Sequence, residues 1–184
     1  MPEETRERIV QAAYEVLARE GYDATSIKDI AAAAGVAAGL VHYYFKNKED
    51  LVLAAIEAAC LGQVEASELP PEQQARDAFA RSRRELSGGR EFHRLLFDMF
   101  GVGMHNPAVA EALRRFVSQD RAQIERLARE VLAQRESRSA DDVPAIAAAV
   151  WGGIFGIYLQ SLVDPELDAD GALDAFSRMV MTST

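Results

Sequence analysis

Cysteine is almost absent from this chain of 184 residues, which contains Cys60 alone. A single thiol cannot form an intramolecular disulfide, so the composition excludes a disulfide-stapled secreted scaffold and fits a reducing cytoplasm. Proline is also sparse, and no stretch alternates between apolar and polar residues as a half-buried strand does. Residues 1–6 lack the apolar core of a signal peptide. We therefore expect an all-α, cytoplasmic protein.

Sequence patterns that carry catalysis are missing as well. A di-iron helical bundle needs two Glu-x-x-His pairs, and none of the three histidines has a glutamate three residues before it. The chain contains no Gly-x-Ser-x-Gly, no His-Glu-x-x-His and no phosphate-cradling loop. Cys60 lies among alanines, with no neighbouring group that would activate a thiol. The sequence predicts no enzyme, no catalytic residue, no metal site and no cofactor.

Positive charge is in short supply, because 20 Lys and Arg residues face 29 Asp and Glu residues, for a net charge of −9. Phosphate binding nevertheless requires a basic face and not a basic protein. Between residues 24 and 48 the only charged residues are Lys28, Asp29, Lys46 and Lys48, which leave a small positive excess. This weak excess predicts modest non-specific DNA affinity and a dependence on dimerisation.

The stretch from Ala24 to Leu51 predicts two short helices joined by a tight turn. Ser26, followed three residues later by Asp29, is typical of a capping box at the start of a helix. Gly35 can adopt the left-handed conformation that ends this helix, and a second helix follows over about residues 38–44. Two short helices around a glycine turn form a helix-turn-helix. The same pattern also fits an αα-corner with a purely structural role.

The residues that close the second helix favour DNA binding over a structural corner. The run His42-Tyr43-Tyr44-Phe45-Lys46-Asn47-Lys48 brings together phenols, an imidazole and lysines. These groups donate hydrogen bonds or carry positive charge, as binding to phosphate oxygens requires. A structural corner has no need of such a cluster.

The motifs around this region form a specific run. They are Gly21-Tyr22, Thr25-Ser26-Ile27, Asp29-Ile30-Ala31, Ala34-Gly35-Val36, Gly39 through Phe45, and Lys46-Asn47-Lys48-Glu49-Asp50-Leu51. This run, about the first quarter of the chain, resembles the tetracycline-repressor (TetR) family of bacterial transcriptional regulators. The resemblance implies an N-terminal three-helix helix-turn-helix DNA-binding domain over residues 1–47. It further implies a C-terminal helical ligand-binding and dimerisation domain over residues 48–184, with about nine helices in all.

The second helix of the motif is the candidate recognition helix, whose first residues face base edges in the major groove. Ala38 and Leu40 can touch a thymine methyl, but no residue there can read guanine or adenine through paired hydrogen bonds. Family members often carry Ser or Thr at the position of Ala37 and Tyr at that of His42. These departures leave the N-cap of this helix weak and its base code unclear. The candidate DNA-binding residues are Ser26, Lys28, Ala37, Ala38, Gly39, Leu40, His42, Tyr43, Tyr44, Lys46 and Lys48.

Surface or packing roles that have nothing to do with DNA remain open for these side chains. His42 can be a solvent-exposed residue without a role, and Lys46 and Lys48 can be ordinary surface lysines. One of the two tyrosines, Tyr43 or Tyr44, is expected to pack.

A small-molecule pocket in the C-terminal part is implied by the resemblance. Aromatic, leucine and methionine side chains at helical spacing are its candidate ligand contacts: Phe79, Phe92, Leu96, Met99, Phe100, Met104, Trp151, Phe155 and Tyr158. The same spacing also fits ordinary core packing, which is the commoner role of such residues.

Residues 143–163 contain no charge and include Gly152-x-x-x-Gly156, so they meet the length rule for a membrane span. Pro144 and the lack of basic flanking residues favour a helix buried by its own core and by a partner subunit. As in the family, helices over about 142–163 and 169–182 from two subunits are expected to form a four-helix dimer interface. No membrane partner is predicted.

The sequence thus predicts a ligand-responsive transcriptional regulator, more a repressor than an activator. It would bind a palindromic operator in double-stranded DNA as a homodimer and be released by a small-molecule effector. A constitutive DNA-binding dimer without a ligand is a near alternative. The more distant alternative is a helical protein-interaction module, which would show no salt-dependent DNA binding.

Overall fold

The computed structural model describes residues 2–61, 69–88, 90–135 and 142–183. Within these ranges the chain forms nine helices and no strand, which confirms the predicted all-α class. They are α1 (Pro2–Glu20), α2 (Ile27–Ala33), α3 (Ala38–Tyr44), α4 (Lys48–Leu61), α5 (Pro71–Gly88), α6 (Arg90–Gly103), α7 (Pro107–Gln134), α8 (Val143–Val163) and α9 (Ala169–Ser183).

The helices belong to two compact units. The first unit comprises Met1–Glu65 and Glu91–Phe116, and the second comprises Ala66–Arg90 and Val117–Thr184. Helix α7 therefore contributes its first part to one unit and its remainder to the other. This division follows packing and differs from the functional boundary between residues 47 and 48, which stays a prediction.

The first unit is built on α1, which packs against α2 and α4, while α2 packs against α3. Apolar residues at positions i, i+3, i+4, i+7 and i+8 share one face of a helix. The corresponding residues of α1 are all buried: Ile9, Ala12, Ala13, Val16 and Leu17. The other three helices of this part also contribute fully buried side chains, among them Ile30 of α2, Val41 of α3 and Leu51 of α4. A large apolar side chain buried in this way contributes about 1.5–3 kcal/mol.

Helix α6 adds a buried face to the same unit, and this face includes a titratable group. His93 is 4% exposed and lies beside the ring of Phe92, with ring centroids 5.7 Å apart. Because burial disfavours the charged imidazolium, it lowers the pKa of His93 to about 4.

In the second unit, α9 packs against α5 and α8. The ring of Phe176 lies so close to Gly153 that a Cβ there would come within 2.3 Å of it. Glycine at this position therefore lets α8 and α9 approach each other. Arg83 ties α5 to α9 through an ion pair with Asp174 at 2.8 Å. Both side chains are about half exposed, so this pair adds little to stability.

Helix α8 has an apolar surface that the single chain does not bury. It is long and apolar enough to cross a membrane by length and composition alone, and less than a third of its most apolar part is buried. Leu159 is 45% exposed and Val163 is 75% exposed, and Met179 of α9 is 57% exposed. Gly152 and Gly156 have open space where a Cβ would be.

The buried imidazole predicts a loss of stability in mild acid. The unfolded chain binds a proton at His93 near pH 6.5, whereas the folded chain binds it only near pH 4. Lowering the pH through this window therefore favours unfolding, by about 1–2 kcal/mol at pH 5. His93→Gln should show a shallower fall of the urea midpoint between pH 7 and pH 5. His42→Gln, on an exposed side chain, should keep the wild-type profile. Equal slopes for His93→Gln and wild type would contradict the assignment.

Candidate DNA-binding surface

Helix α2 starts with the predicted capping box, and both of its hydrogen bonds are present. The Ser26 backbone N–H donates to Asp29 Oδ2 at 2.9 Å, and the Asp29 N–H donates to Ser26 Oγ at 3.3 Å. The hydrogen bond from the Ser26 side chain lowers the pKa of the Asp29 carboxyl. The Ser26 hydroxyl, a candidate DNA contact, is therefore already engaged within the chain.

The turn between α2 and α3 depends on Gly35, which has a φ of +64° as predicted. The N–H of Val36 donates to the carbonyl of Ala31 at 2.9 Å and so closes the end of α2. The side chain of Arg8 in α1 donates from Nε to the carbonyl of Ala34 at 3.1 Å. This contact ties the turn to α1 and thereby orients α3.

Helix α3 has one packed face and one open face. Val41 and Phe45 are buried, whereas Leu40 is 37% exposed and Tyr43 is 79% exposed. Tyr44 is half-buried and contacts the edge of Tyr43, so one of the two tyrosines packs and the other does not.

The remaining candidates of α3 are Ala37, Ala38, Gly39 and His42. Ala38 is half-buried and the other three are exposed. Ala37 is the N-cap of α3 and makes no side-chain capping hydrogen bond, which confirms the weak cap. The face available to a DNA groove is thus small and apolar, with one phenol and one imidazole.

The three lysines of this region have different surroundings. Lys28 and Lys46 are exposed, whereas the Lys48 ammonium lies 3.9 Å from the centre of the Tyr22 ring and donates to the Tyr22 carbonyl. Burial lowers the pKa of Lys48, while the charges of Asp23 and Glu49 oppose this shift. An ammonium has three donors, so two remain after the carbonyl is bound. Lys48 therefore holds the turn after α1, and its contact with a phosphate stays a prediction.

Tyr22 completes this junction from the other side. Its hydroxyl donates to Glu49 Oε1 at 2.8 Å, and burial together with this carboxylate raises the pKa of Tyr22 to about 12. The turn after α1 is consequently attached to the first turn of α4 by two side chains, Lys48 and Glu49.

Two arginines of α1 were missed by the sequence reasoning. The Arg6 guanidinium lies 5.4 Å from the centre of the Phe45 ring at the end of α3, and Arg8 binds the turn before α3. Both residues are exposed, and a guanidinium fork suits a phosphate. Nothing in the spacing of α1 marks these positions as neighbours of α3, so only tertiary packing reveals them.

The predicted ligand contacts are distributed over both units. Phe92, Leu96, Met99, Phe100 and Met104 lie in the first unit, and Phe79, Trp151, Phe155 and Tyr158 lie in the second. Leu96 and Met99 are fully buried core residues, whereas Met104 is 77% exposed in the turn after α6. Phe79 contacts the ring of Phe176 edge-on.

Three of these predicted contacts form one aromatic group on α8. The rings of Trp151 and Phe155 stack with centroids 4.1 Å apart and planes 16° apart. Tyr158 meets Phe155 edge-on at 5.6 Å.

Two carboxylates that the sequence reasoning did not identify lie beside these rings. The indole N–H of Trp151 donates to Asp120 Oδ2 at 3.2 Å. The hydroxyl of Tyr158 donates to the Ser82 carbonyl at 2.9 Å and lies 3.4 Å from Glu85 Oε2. Burial raises the pKa of both carboxyl groups, more than their hydrogen bonds lower it.

Family models match both parts of the chain. The model described as "Bacterial regulatory proteins, tetR family" matches residues 9–55, and the model described as "BetI-type transcriptional repressor, C-terminal" matches residues 71–183. The chain belongs to the TetR family. The resemblance identified from the motifs is therefore confirmed, and TetR-family proteins are DNA-binding transcriptional regulators and not enzymes.

Curated relatives agree with this assignment. The HTH-type transcriptional regulator CymR of Pseudomonas putida is 28% identical over 164 residues, which cover 86% of this chain and 80% of that protein. The Fatty acid metabolism regulator protein of Bacillus subtilis is 47% identical over 47 residues, which cover 26% of this chain and only 24% of that protein.

Solved structures share the fold of this TetR-family chain. A TetR transcription regulator from Haloarcula marismortui has a TM-score of 0.82 at 17% identity. The match covers 99% of this chain and 98% of that protein. A transcriptional regulator from Saccharomonospora viridis, solved in complex with choline, has a TM-score of 0.72 at 21% identity. The match covers 97% of this chain and 96% of that protein. At these identities the likeness shows the fold alone.

The different surroundings of Lys46 and Lys48 predict different phenotypes for their alanine variants. Lys46→Ala should weaken binding to every duplex sequence and reduce the slope of log affinity against log salt by about 0.9. Lys48→Ala should do the same and also lower the melting temperature, because it removes the contacts with Tyr22. Arg19→Ala is the control and should change neither quantity, because the Arg19 side chain is 65% exposed and, within the described ranges, pairs only with its neighbour Glu20. Fluorescence anisotropy at several salt concentrations measures binding. An unchanged salt slope for Lys46→Ala would remove this residue from the phosphate contacts.

Proposed function

We propose that this TetR-family regulator is a repressor that binds a palindromic operator as a homodimer and is released by a small molecule. The observation that carries the DNA-reading part is the open face of α3, held at a fixed angle by the turn at Gly35. Leu40 and Ala38 would contact thymine methyls, and Tyr43 would donate to a base or a phosphate. Lys46 and Arg6 would flank this face with phosphate contacts.

Dimerisation through α8 and α9 is supported by the apolar surface that the chain leaves uncovered. Gly152, Gly156, Leu159 and Val163 recur at i, i+4, i+7 and i+11, so they form one stripe along α8. The glycines would allow close approach of a partner helix, and Leu159 and Val163 would bury their side chains against it. A twofold dimer presents two copies of α3, which matches half-sites about one DNA turn apart.

Release by a ligand is supported by the junction after α1. Lys48 and Glu49 attach this turn to α4, and Asp98 of α6 also reaches it, since its Oδ2 lies 3.7 Å from the place where a Cβ on Gly21 would be. A shift of α4 would therefore move the turn and, with it, α1 and α3. A ligand can cause this shift only if it binds one arrangement more tightly than the other.

The ligand itself is a small molecule in this proposal. Support comes from the family and from the Saccharomonospora viridis neighbour, which was solved in complex with choline. The aromatic group of Trp151, Phe155 and Tyr158 supplies the kind of surface that small-molecule sites use.

Selection from random duplex DNA tests the DNA-binding proposal. The purified protein should enrich a palindrome whose half-sites lie about 10 base pairs apart, or a multiple of this distance. Leu40→Ala should change the preferred base at one position of each half-site without changing the salt slope, because Leu40 contacts no phosphate. If neither a palindrome nor salt-dependent binding is found, release by a small molecule fails as proposed: either a ligand is needed as corepressor, or the helix-turn-helix is a protein-interaction surface.

The dimer surface has its own test. Val163→Lys and Leu159→Lys should each convert the dimer to a monomer in sedimentation velocity, because a lysine would be buried without a partner charge. Met104→Lys is the matched control, since Met104 is as exposed as Val163 but lies on the first unit. The control should remain dimeric. Dimers for both α8 variants would place the interface elsewhere.

A further inference from the structure

Two arginines of α1 lie near opposite ends of the helix that is proposed to read DNA. The guanidinium of Arg6 lies over the ring of Phe45, the residue that ends α3. The Nε of Arg8 donates to the carbonyl of Ala34 at 3.1 Å, and Ala34 ends α2 just before the turn that leads into α3. Arg8 therefore contacts the chain at the point where the direction of α3 is set.

The carbonyl of Ala34 is one that α2 cannot satisfy by itself. The last carbonyls of a helix have no N–H within the helix to accept from. N–H groups of the following turn satisfy the carbonyls of Ala31 and Ala32. Arg8 supplies the donor for Ala34, and it brings a positive charge to the end of a helix, where the helix dipole favours one.

The hydrogen bond through Nε leaves the two Nη groups of Arg8 available for another ligand. A guanidinium carries donors on Nε and on both Nη nitrogens in one rigid plane. Arg8 is exposed, and in the part of the chain that the structure describes it forms no ion pair, not even with Glu4 one turn earlier on α1. Because the turn holds Nε, the plane of the guanidinium is oriented before any ligand binds.

A fork of two Nη groups selects its ligand by charge and by shape. Parallel N–H groups match two oxygens of one phosphate, and a charge-assisted pair of this kind is stronger than a neutral hydrogen bond. A guanine edge also accepts a fork, but Arg8 belongs to α1 and not to the helix proposed to enter the groove. Contacts from outside the recognition helix go mainly to the DNA backbone.

We propose that Arg8 binds a backbone phosphate of the operator through its two Nη groups while its Nε holds the turn before α3. The proposal deepens the DNA-binding function proposed above and rests on it. Phosphate contacts carry no sequence information directly, but they fix the register of a protein on the duplex. Since one guanidinium joins the phosphate to the turn, Arg8 is also a positioning residue for the base contacts of α3.

This double role distinguishes Arg8 from Lys46. Lys46 is exposed and follows α3, so its loss should weaken binding to every duplex alike. Loss of Arg8 removes a phosphate contact and also the hydrogen bond that holds the turn. It should therefore weaken binding to the operator more than binding to an unrelated duplex.

Glutamine separates the two roles of Arg8. Its amide nitrogen is as many bonds from Cα as the Nε of arginine, so Arg8→Gln keeps a donor for the Ala34 carbonyl and removes the fork with its charge. Arg8→Met removes both. Fluorescence anisotropy would measure binding of the full-length protein at several salt concentrations. The probes are the palindromic duplex from the selection described above and a shuffled duplex of the same composition.

Both variants should reduce the slope of log affinity against log salt by about 0.9, the effect of one phosphate contact. Arg8→Gln should keep the wild-type ratio of palindrome affinity to shuffled-duplex affinity. Arg8→Met should lower this ratio by about fivefold, the effect of one lost hydrogen bond. Arg19→Gln is the control on the same helix, because Arg19 is exposed and pairs with Glu20, and it should change neither quantity.

The possible results separate this inference from the proposed function. A wild-type salt slope for Arg8→Gln overturns the phosphate contact, and equal affinity ratios for Arg8→Gln and Arg8→Met overturn the positioning role. If Arg8 only caps α2, Arg8→Met lowers the melting temperature but changes neither the slope nor the ratio, which also overturns the inference. All three results leave the proposed function intact when the wild type binds the palindrome. If the wild type binds neither duplex at any salt concentration, both proposals fail.

Discussion

One residue in a left-handed conformation determines how the DNA-binding part is arranged. A φ of +64° at Gly35 costs other residues roughly 1–2 kcal/mol, and it lets α2 end and α3 begin within a few residues. The turn thereby sets which face of α3 packs against the core, and this face carries the buried residues Val41 and Phe45. The opposite face, with Leu40 and Tyr43, is exposed and is the face proposed to enter the DNA groove. The side chain of Arg8 donates a hydrogen bond to the same turn and so connects it to α1.

The turn after α1 carries the second constraint. Lys48 serves both as an internal contact of Tyr22 and as a candidate phosphate ligand. These roles are compatible because an ammonium has three donors, yet they are not independent. A shift of α4 that moves Lys48 away from Tyr22 would change the position of α1 and of a phosphate contact together. Coupling of this kind needs no additional residue between α4 and the DNA.

Local signals explain which features the sequence could predict. The capping box of α2, the left-handed glycine and the buried stripe of α1 all depend on residues within a few positions of each other. The aromatic rings of α8 were recognised for the same reason, since they share one helix. Glu85 and Asp120 were missed because they look like ordinary surface charges of α5 and α7. Their burial arises only when three helices pack together. Arg6 was missed likewise, as its partner Phe45 lies on another helix.

The arrangement of α8 links the proposed effector site to the proposed dimer surface. Trp151, Phe155 and Tyr158 recur at i, i+4 and i+7, and the stripe that begins at Gly152 follows the same spacing one residue later. Successive residues of an α-helix are rotated by about 100°, so the two stripes lie on adjacent faces. A ligand that binds at the face of Trp151, Phe155 and Tyr158 would therefore act next to the face proposed for the partner. If such a ligand changes the affinity between subunits, dimerisation changes the ligand affinity by the same factor, because coupling between two binding events is reciprocal.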